Sequence, residues 1–311
     1  MDLVCRVDRM PQRGETVLGK HFMNLPGGKG ANQAVAAAKL AGQDQRVHLV
    51  ARVGDDDFGQ RLLNGLQQHK VDTRYVTITE GVPTGTAIIL VDEKGENSII
   101  VAPGANAVLR PRDIDAAEPL IREASAVLLQ LEIPHETVRH AITVCRRHGV
   151  FTILDPAPAP NPEGEKALLR ALFQVDVFTP NQSEAELILG MEQTHRVKKK
   201  RLEDPKQIAA DLLARGPRSV VLKLGPKGCL SAGPGGAFET SRAFKVKVSD
   251  TTAAGDAFTA ALAVARSEDM ATRDTLRFAN AAGALTCMAF GAQPALPARQ
   301  SVDRFIKRVA R

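Results

Sequence analysis

The sequence predicts an α/β protein with a doubly wound, mainly parallel sheet, helices on both faces of that sheet, and a small β-sheet lid. Short apolar runs alternate with amphipathic helical segments along most of the 311 residues, as expected for parallel strands joined by helices. Two neighbouring β-rich runs with no helix between them predict the lid. Polar residues at the ends of the apolar runs indicate that one edge of the main sheet binds a ligand.

The elements of the main sheet follow from hydrophobic periodicity. The strand-like apolar runs are residues 48–53, 126–132, 151–155, 175–181, 219–225 and 244–250. Helical periodicity covers residues 30–40, 58–69, 134–148, 183–189, 205–215, 254–266, 272–290 and 302–309. No internal repeat or linker divides the chain, so we expect residues 1–311 to form a single domain.

The predicted lid departs from this alternation. The β-rich runs 86–92 and 97–102 are joined by a glycine-containing turn, which predicts an antiparallel hairpin outside the main sheet. Residues 15–22 are also extended in character and could pair with the hairpin, so the lid is predicted to comprise about residues 14–24 and 84–103. An edge hairpin is the simpler interpretation, but hairpins that project from α/β sheets often close over ligands.

Composition disfavours several classes of protein. The 41 Lys and Arg against 35 Asp and Glu leave a net charge of only +6, and the one dense basic run, residues 198–201, is typical of a solvated loop. With no Trp and one Tyr, the chain lacks the aromatic platforms of nucleic-acid binders, and no apolar stretch approaches a membrane span, so we expect neither partner. Four widely spaced cysteines without a CxxC motif predict a cytoplasmic location.

Polar residues follow the predicted strands at the edge where open α/β sheets bind ligands. The residues at these strand ends are Glu132, Asp155, Asn181, Gly225 and Asp250. Four of the five carry polar side chains that the packing of an apolar strand does not require. One such residue alone would indicate a turn, whereas four together predict a binding site.

The strongest motif is Asp-Thr-Thr-Ala-Ala-Gly-Asp at residues 250–256, which follows a predicted strand and begins an Ala-rich helix. Its small residues allow backbone N–H groups at the start of the helix to face a phosphate, which the helix dipole favours. Asp256 lies in the first turn, where a carboxylate can accept a hydroxyl proton while the amides stabilise transferring phosphoryl charge. A helix cap followed by a first-turn acid is the alternative interpretation.

Three weaker motifs accompany it. Residues 27–33 are rich in glycine and open another helix, although they match neither GxGxxG nor a P-loop, and a plain turn stays possible. Asn181 and Glu184 are either a capping box or a site near magnesium and phosphate. Residues 224–228 form a strand-to-turn segment that is either an ordinary hairpin turn or a passage over a nucleotide.

Together these motifs resemble the PfkB-type carbohydrate kinase family, and within it the kinases that act on D-ribose. The matching segments extend over nearly the whole chain and are residues 27–33, 95–97, 104–106, 130–132, 155–158, 179–184, 250–256 and 291–294. The resemblance implies a transferase of ribose catabolism that phosphorylates D-ribose at O5 with ATP, giving D-ribose 5-phosphate. It also implies a homodimer that forms through the lid.

The resemblance further implies roles for single residues. Asp256 would be the base that takes the proton from the sugar hydroxyl, and the anion hole would be formed by Ala253, Ala254 and Gly255. The sugar would be bound by Asp2, Gly28, Lys29, Gly30, Ala31, Asn32, Glu132 and Asp256. ATP would be bound by Asn181, Lys223, Leu224, Gly225, Pro226, Lys227, Gly228, Gly255, Asp256 and Asn280.

Two cofactors are implied by the same resemblance. One is Mg²⁺, which accompanies ATP and has Glu184 in its region. The other is K⁺, an activating monovalent cation that lies behind the anion hole. The expected K⁺ site comprises Asp250 and oxygens at Thr252, Thr286, Ala289, Gly291 and Ala295.

One departure from the family pattern concerns the N-terminus. The family has a further strand and a Gly-Ser-x-Asn turn before the position of Asp2, so we expect that strand to be missing here, with weaker ribose affinity and stability as the result. A kinase for deoxyribose or for a nucleoside stays an alternative, although the few aromatic residues disfavour a nucleoside pocket. A truncated, weakly active sugar-binding form is another, which the intact Asp256 motif disfavours.

Overall fold

The computed structural model describes residues 1–160, 166–190 and 204–309, so the predicted loop at residues 198–201 lies outside the described residues. The strands are β1 (Asp2–Arg6), β2 (His21–Leu25), β3 (Val47–His48), β4 (Ala51–Gly54), β5 (Val71–Asp72), β6 (Val76–Thr79), β7 (Thr86–Val91), β8 (Asn97–Ala102), β9 (Val127–Leu129), β10 (Thr152–Leu154), β11 (Val177–Phe178), β12 (Ser219–Lys223), β13 (Cys229–Ala232) and β14 (Phe238–Ser241). The helices are α1 (Lys29–Leu40), α2 (Asp57–Gln68), α3 (Pro111–Ala116), α4 (Glu118–Glu123), α5 (His135–Arg147), α6 (Lys166–Leu172), α7 (Gln182–Ile188), α8 (Pro205–Leu213), α9 (Ala254–Ser267), α10 (Thr272–Thr286) and α11 (Arg299–Val309).

The main sheet has six strands in the order β14-β13-β12-β11-β10-β9. Strands β9 to β12 run parallel to one another, and β13 and β14 add two antiparallel strands at one edge. Because helices α5 to α8 connect the parallel strands, their carboxyl ends meet at one edge of the sheet. The predicted doubly wound, mainly parallel α/β sheet is confirmed.

Two hydrophobic cores cover the two faces of this sheet. Ile153 and Leu154 are neighbours in β10, yet Ile153 belongs to the core with α1, α9, α10 and α11, and Leu154 to the core with α5, α7 and α8. Side chains alternate between the faces of a strand, so a strand buried on both sides is apolar throughout. This explains why the apolar runs of the sequence identified these strands.

The helices of the first core pack closely because their contact residues are small. Val35 and Ala36 of α1 and most of the alanines of α9 and α10 are buried. A Cβ atom added to Gly283 of α10 would lie 3.2 Å from the carbonyl oxygen of Ala254, which is tighter than an ordinary contact. Close packing therefore fixes the N-terminus of α9 against α10.

A second sheet stands apart from the main one and has the order β2-β1-β7-β8. Strands β7 and β8 form the predicted antiparallel hairpin, whose turn is closed by hydrogen bonds from the backbone N–H groups of Lys94 and Glu96 to the Asp92 carboxylate. The expected strand at residues 15–22 is only partly right. It begins at His21 and pairs with β1, which itself lies parallel to β7.

Some predicted elements were wrong in extent or kind. Residues 244–250 form no strand, because β14 is the last strand of the sheet and Phe244 packs instead on Phe305 of α11, with ring centroids 5.0 Å apart. The run 48–53 is divided between β3 and β4, which pair with β5 and β6 rather than with the main sheet. Helix α10 ends at Thr286 rather than at residue 290.

Within the described residues, no helix is long and apolar enough to cross a membrane.

Candidate active site

The start of α9 places Asp256 at the centre of a buried polar cluster. The helix begins after Ala253, whose left-handed backbone (φ 59°) turns the chain into its first turn. Asp256 is only 5% exposed, and its carboxylate accepts two hydrogen bonds from the N-terminal part of α1. Its Oδ2 accepts from Asn32 Nδ2 at 3.0 Å, and its Oδ1 accepts from Gln33 Nε2 at 3.1 Å. The N-termini of two packed helices therefore meet at this carboxylate.

Two strand ends of the main sheet complete the floor of this cluster. Asp155 follows β10, and its carboxylate forms a buried ion pair with Lys223 at the end of β12, at 2.8 Å. The other carboxylate oxygen of Asp155 accepts from Gln33 Nε2 at 3.0 Å. Two of the polar residues predicted at strand ends, Asp155 and Asn181, therefore come together at Lys223. Asp250 does not, because residues 244–250 form no strand and its carboxylate contacts Thr252 and Gly291.

A second group of residues lies on the side of the glycine-rich turn. The carboxylate of Glu132 accepts a hydrogen bond from the backbone N–H of Lys29 at 2.8 Å. Gly27 is in such close contact with the Asp2 carboxylate that an added Cβ atom would overlap it. Because Asp2 belongs to β1, and the turn itself follows β2, the second sheet adjoins this part of the site.

The electrostatics of the cluster are dominated by burial and by one lysine. Burial raises the pKa of Asp256, while Lys29 and the hydrogen bonds from Asn32 and Gln33 act in the opposite direction. Burial alone would lower the pKa of Lys29, but the fields of the surrounding carboxylates outweigh it and raise that pKa. These carboxylates belong to Asp256, Asp155, Glu132 and Glu184. Lys29 is therefore a positively charged group surrounded by four carboxylates that can accept hydrogen bonds.

The residues expected to form an anion hole lie at the N-terminus of α9. The N–H of Ala254 donates to the carbonyl of Thr251 at 3.2 Å. Among the described residues, the N–H groups of Ala253 and Gly255 have no backbone acceptor. Unpaired N–H groups at the start of a helix favour an anion. Two of the three expected donors are thus available for a phosphoryl group.

The residues expected at the nucleotide occupy two places. Asn181 and Glu184 form the capping box of α7, and Asn181 bridges to Lys223. Residues 224–228 close a tight turn through a hydrogen bond from the Leu224 N–H to the Gly228 carbonyl, at 2.8 Å. Gly228 has a φ of 98°, and an added Cβ would overlap the Ser241 carbonyl, so this turn requires glycine. The amide of Asn280 donates to that Ser241 carbonyl at 3.1 Å, which places Asn280 beside the turn.

Comparison with known proteins decides the family. The model of the pfkB family carbohydrate kinases matches residues 1–299. The chain belongs to this family. A ribokinase of Bacillus subtilis is 39% identical over 307 residues, with 98% of this chain and 96% of the relative covered. A deoxyribokinase of Salmonella typhi is 36% identical over 264 residues, with 83% and 80% covered.

A solved structure of the ribokinase of Arabidopsis thaliana, complexed with ribose and ATP, has the same fold. It superposes with a TM-score of 0.84 at 32% identity, with 98% of this chain and 95% of that chain covered. The expected ribokinase-like fold and the expected enzyme class, an ATP:sugar phosphotransferase, are therefore confirmed for this pfkB family carbohydrate kinase.

Three of the residues expected to bind K⁺, namely Asp250, Thr252 and Gly291, are joined by hydrogen bonds. Asp250 Oδ1 accepts from the N–H and the hydroxyl of Thr252, and its Oδ2 accepts from the N–H of Gly291 at 2.9 Å. These hydrogen bonds lower the pKa of Asp250 although burial opposes them. In the described part of the chain no Lys or Arg pairs with Asp250. An ionised carboxylate with only neutral donors fits a monovalent cation.

The sequence did not assign several groups that the structure brings to this site. Gln33 connects two carboxylates, Gln130 holds Gln33, and Thr259 contacts Asp155. A signal for Gln33 was present, since a polar side chain among Ala and Val on a buried helix needs a partner. Its partners could not be named, because they come from strands more than 90 residues away in the chain.

Proposed function

We propose that this pfkB family kinase transfers the terminal phosphoryl group of ATP to O5 of D-ribose, giving D-ribose 5-phosphate in ribose catabolism. The observation that carries the proposal is the buried Asp256 carboxylate at the N-terminus of α9, beside unpaired backbone N–H groups. A carboxylate accepts the proton of a hydroxyl, and the helix N-terminus stabilises an anion. The similarity to ribokinases supports the choice of sugar.

The sugar would lie between α1 and the second sheet. Carboxylates of Asp2 and Glu132 would accept hydrogen bonds from its hydroxyl groups, and the Lys29 ammonium would donate. Among the described residues, the buried Oδ1 atom of Asn32 finds no hydrogen-bond partner, so it is available as an acceptor for a further hydroxyl. The backbone of Gly28, Gly30 and Ala31 would complete the wall, since small residues admit a ligand closely.

The transfer step follows from this placement. Asp256 removes the proton from O5 as that oxygen attacks the terminal phosphorus and the O–P bond to ADP breaks. The N–H groups of Ala253 and Gly255 stabilise the negative charge on the transferring phosphoryl oxygens, as pre-organised donors do in other phosphoryl and acyl transfers. Lys29, held among acids, neutralises charge between sugar and phosphate. The nucleotide would lie over residues 223–228, beside Asn181 and Asn280.

Magnesium would arrive bound to ATP and would supply charge neutralisation at the phosphates. Glu184 is the acid nearest to Asn181 and caps α7 through a hydrogen bond from the Asn181 N–H, at 2.7 Å. Burial raises the pKa of Glu184, while Lys223 acts in the opposite direction. The described residues contain no group of three or more His, Cys, Asp or Glu that could hold a metal by themselves. We expect the metal to share its ligands with the phosphates of the nucleotide.

Potassium would bind at Asp250, behind the start of α9. Asp250 connects residue 252, which precedes the helix, with Gly291 of the loop after α10. A cation there would balance the carboxylate and fix the backbone geometry on which the anion hole depends. The further oxygens would come from Thr252, Thr286, Ala289, Gly291 and Ala295.

The second sheet would act as a lid and as the dimer interface. Strand β8 is an edge strand with exposed Ile99, Ile100 and Val101, and such an edge seeks a partner strand. Two copies related by a two-fold axis would bury both edges.

We also place the protein in the cytoplasm, which is supported by its four unpaired cysteines and is tested by cell fractionation.

Activity of Asp256→Asn tests the proposed chemistry. Asn cannot accept the proton, so kcat on D-ribose should fall by ~10²–10⁴-fold, while KM changes little. Asp274→Asn is the matched control, because Asp274 is an exposed first-turn acid of α10 and should keep parent turnover. An Asp256→Asn protein that folds and retains a kcat within threefold of the parent would remove Asp256 as the base.

The sugar itself is tested by measuring ADP release with D-ribose, 2-deoxyribose and nucleosides. We expect the highest kcat/KM with D-ribose. The similarity to a deoxyribokinase makes 2-deoxyribose the second candidate, and a higher kcat/KM with that sugar would decide in its favour.

Dependence on a monovalent cation is tested by comparing turnover in potassium buffer with turnover in a buffer containing only bulky organic cations. We expect turnover to fall without potassium, and Asp250→Asn to lose most of this difference because the charge that binds the cation is gone. Equal turnover of the parent protein in both buffers would contradict the cation site.

The dimer is tested by light scattering. We expect a mass of twice 33.4 kDa for the parent chain and a shift to monomer for Ile100→Lys, because a charge on the edge strand opposes pairing. Ile78→Lys, at an exposed isoleucine outside the second sheet, should leave the mass unchanged. A monomeric parent at micromolar concentration would refute the dimer.

A further inference from the structure

Gln33 occupies a place in the cluster that none of the sugar or nucleotide roles explains. Its side chain is buried, with 1% of the residue exposed, and its polar atoms already bond to protein side chains. Its single amide nitrogen donates to Asp256 Oδ1 at 3.1 Å and to Asp155 Oδ2 at 3.0 Å. Gln33 therefore connects the carboxylate of the base with a second carboxylate at the end of β10.

The orientation of this amide is fixed on its other side. Ionised carboxylates only accept hydrogen bonds, so the nitrogen of Gln33 must face them and its oxygen must face a donor. That donor is Gln130 Nε2, at 2.6 Å from Gln33 Oε1. Gln130 lies just after β9, two residues before Glu132. The amide of Gln33 cannot rotate without breaking three hydrogen bonds.

Asp155, the second carboxylate, is itself held from two directions. Lys223 Nζ donates to Asp155 Oδ1 at 2.8 Å, and Thr259 Oγ1 donates to Asp155 Oδ2 at 3.4 Å. The ion pair is buried, with side-chain exposures of 2% for Asp155 and 13% for Lys223. Lys223 Nζ also lies 3.8 Å from the position of a Cβ atom added to Gly255. The anchor of Gln33 is therefore charged, rigid and adjacent to the anion hole.

We propose that Gln33 is the positioning residue of this kinase, which fixes the Asp256 carboxylate to the Asp155–Lys223 ion pair. The proposal rests on the proposed role of Asp256 as the base. Gln33 donates to Oδ1 of Asp256 and Asn32 donates to Oδ2, so each carboxylate oxygen has one donor that fixes its position.

The same contacts determine how easily Asp256 ionises. Two hydrogen bonds to the charged carboxylate lower its pKa against the effect of burial, so the loss of one should raise it. The other charges that act on Asp256 are Lys29 of α1, which lowers the pKa, and Asp155, which raises it. Asp2 and Glu132 also face Asp256 as like charges, and Lys223 offsets Asp155. None of these groups replaces the hydrogen bond from Gln33.

Gln33→Met tests the proposal, since Met has a similar length and no donor. A carboxylate that is free to turn should slow transfer by ~10–100-fold, because misplacement of a catalytic group by about 1 Å costs roughly 10²-fold. KM for the sugar should stay within threefold. The acid limb of the kcat–pH profile should move to higher pH, since the donor that favours the charged form is lost.

Two further variants control for stability. Thr137→Val removes a buried hydrogen bond from α5 to the Leu109 carbonyl, so it should lower Tm but leave kcat and the pH profile as in the parent. Gln130→Met changes a less buried residue and removes the hydrogen bond that Gln130 donates to the side-chain oxygen of Gln33. It should move the acid limb to higher pH as well, but by a smaller amount. Gln130→Met carries the test if Gln33→Met does not fold.

The outcomes separate this inference from the function beneath it. Suppose that Asp256→Asn transfers slowly while Gln33→Met keeps the kcat and the pH profile of the parent. That result would overturn the role of Gln33 alone. Gln130→Met gives the same test where only that variant folds. A fall in kcat that leaves the acid limb unmoved would overturn it too, because a general loss of stability explains such a fall. Normal transfer in Asp256→Asn would overturn the base and the positioning role together.

Discussion

The structure of this kinase depends on the burial of one carboxylate. A charged group removed from water is costly unless hydrogen-bond donors and an opposite charge surround it. Asp256 obtains its donors from Asn32 and Gln33 and its opposite charge from Lys29, all from the beginning of α1. The N-terminus of α9, which carries Asp256, must therefore lie against the N-terminus of α1, which supplies the donors and the opposite charge. The packing of the first core holds the two N-termini together.

Small residues make that meeting possible. Helices α1, α9 and α10 face one another with Ala and Gly, so their backbones approach closely. The left-handed backbone at Ala253 then turns the chain so that N–H groups remain unpaired beside the carboxylate. The same few residues place an acceptor for a proton next to donors for a phosphoryl group, which is the pairing that phosphoryl transfer requires. Local sequence and long-range packing thus act on a single site.

Much of the fold and of the site was predictable from the sequence because local residue patterns determine it. The parallel strands are apolar on both faces, and Asp155 and Asn181 stand at strand ends where packing does not need them. The hydrophobic pattern gave wrong predictions where the pairing of strands, rather than hydrophobicity, determines whether a strand forms. Residues 244–250 have a strand-like sequence but no partner strand, whereas Cys229–Ala232 and Phe238–Ser241 pair as β13 and β14. The Gln33 contacts involve residues distant in the chain, so local patterns could not name them.

The state of the Asp256 carboxylate is measured most directly by a carbon-13 NMR titration of the folded protein with labelled aspartate carboxyl groups. The resonance of Asp256 is the one that disappears in Asp256→Asn. Burial outweighs the surrounding donors in the ligand-free protein, so this resonance should titrate above the ordinary aspartate pKa of about 3.9. A titration at that value would contradict the account, since it would describe a solvated acid at a helix end. A titration below it would contradict the account too, since donors and Lys29 would then outweigh burial.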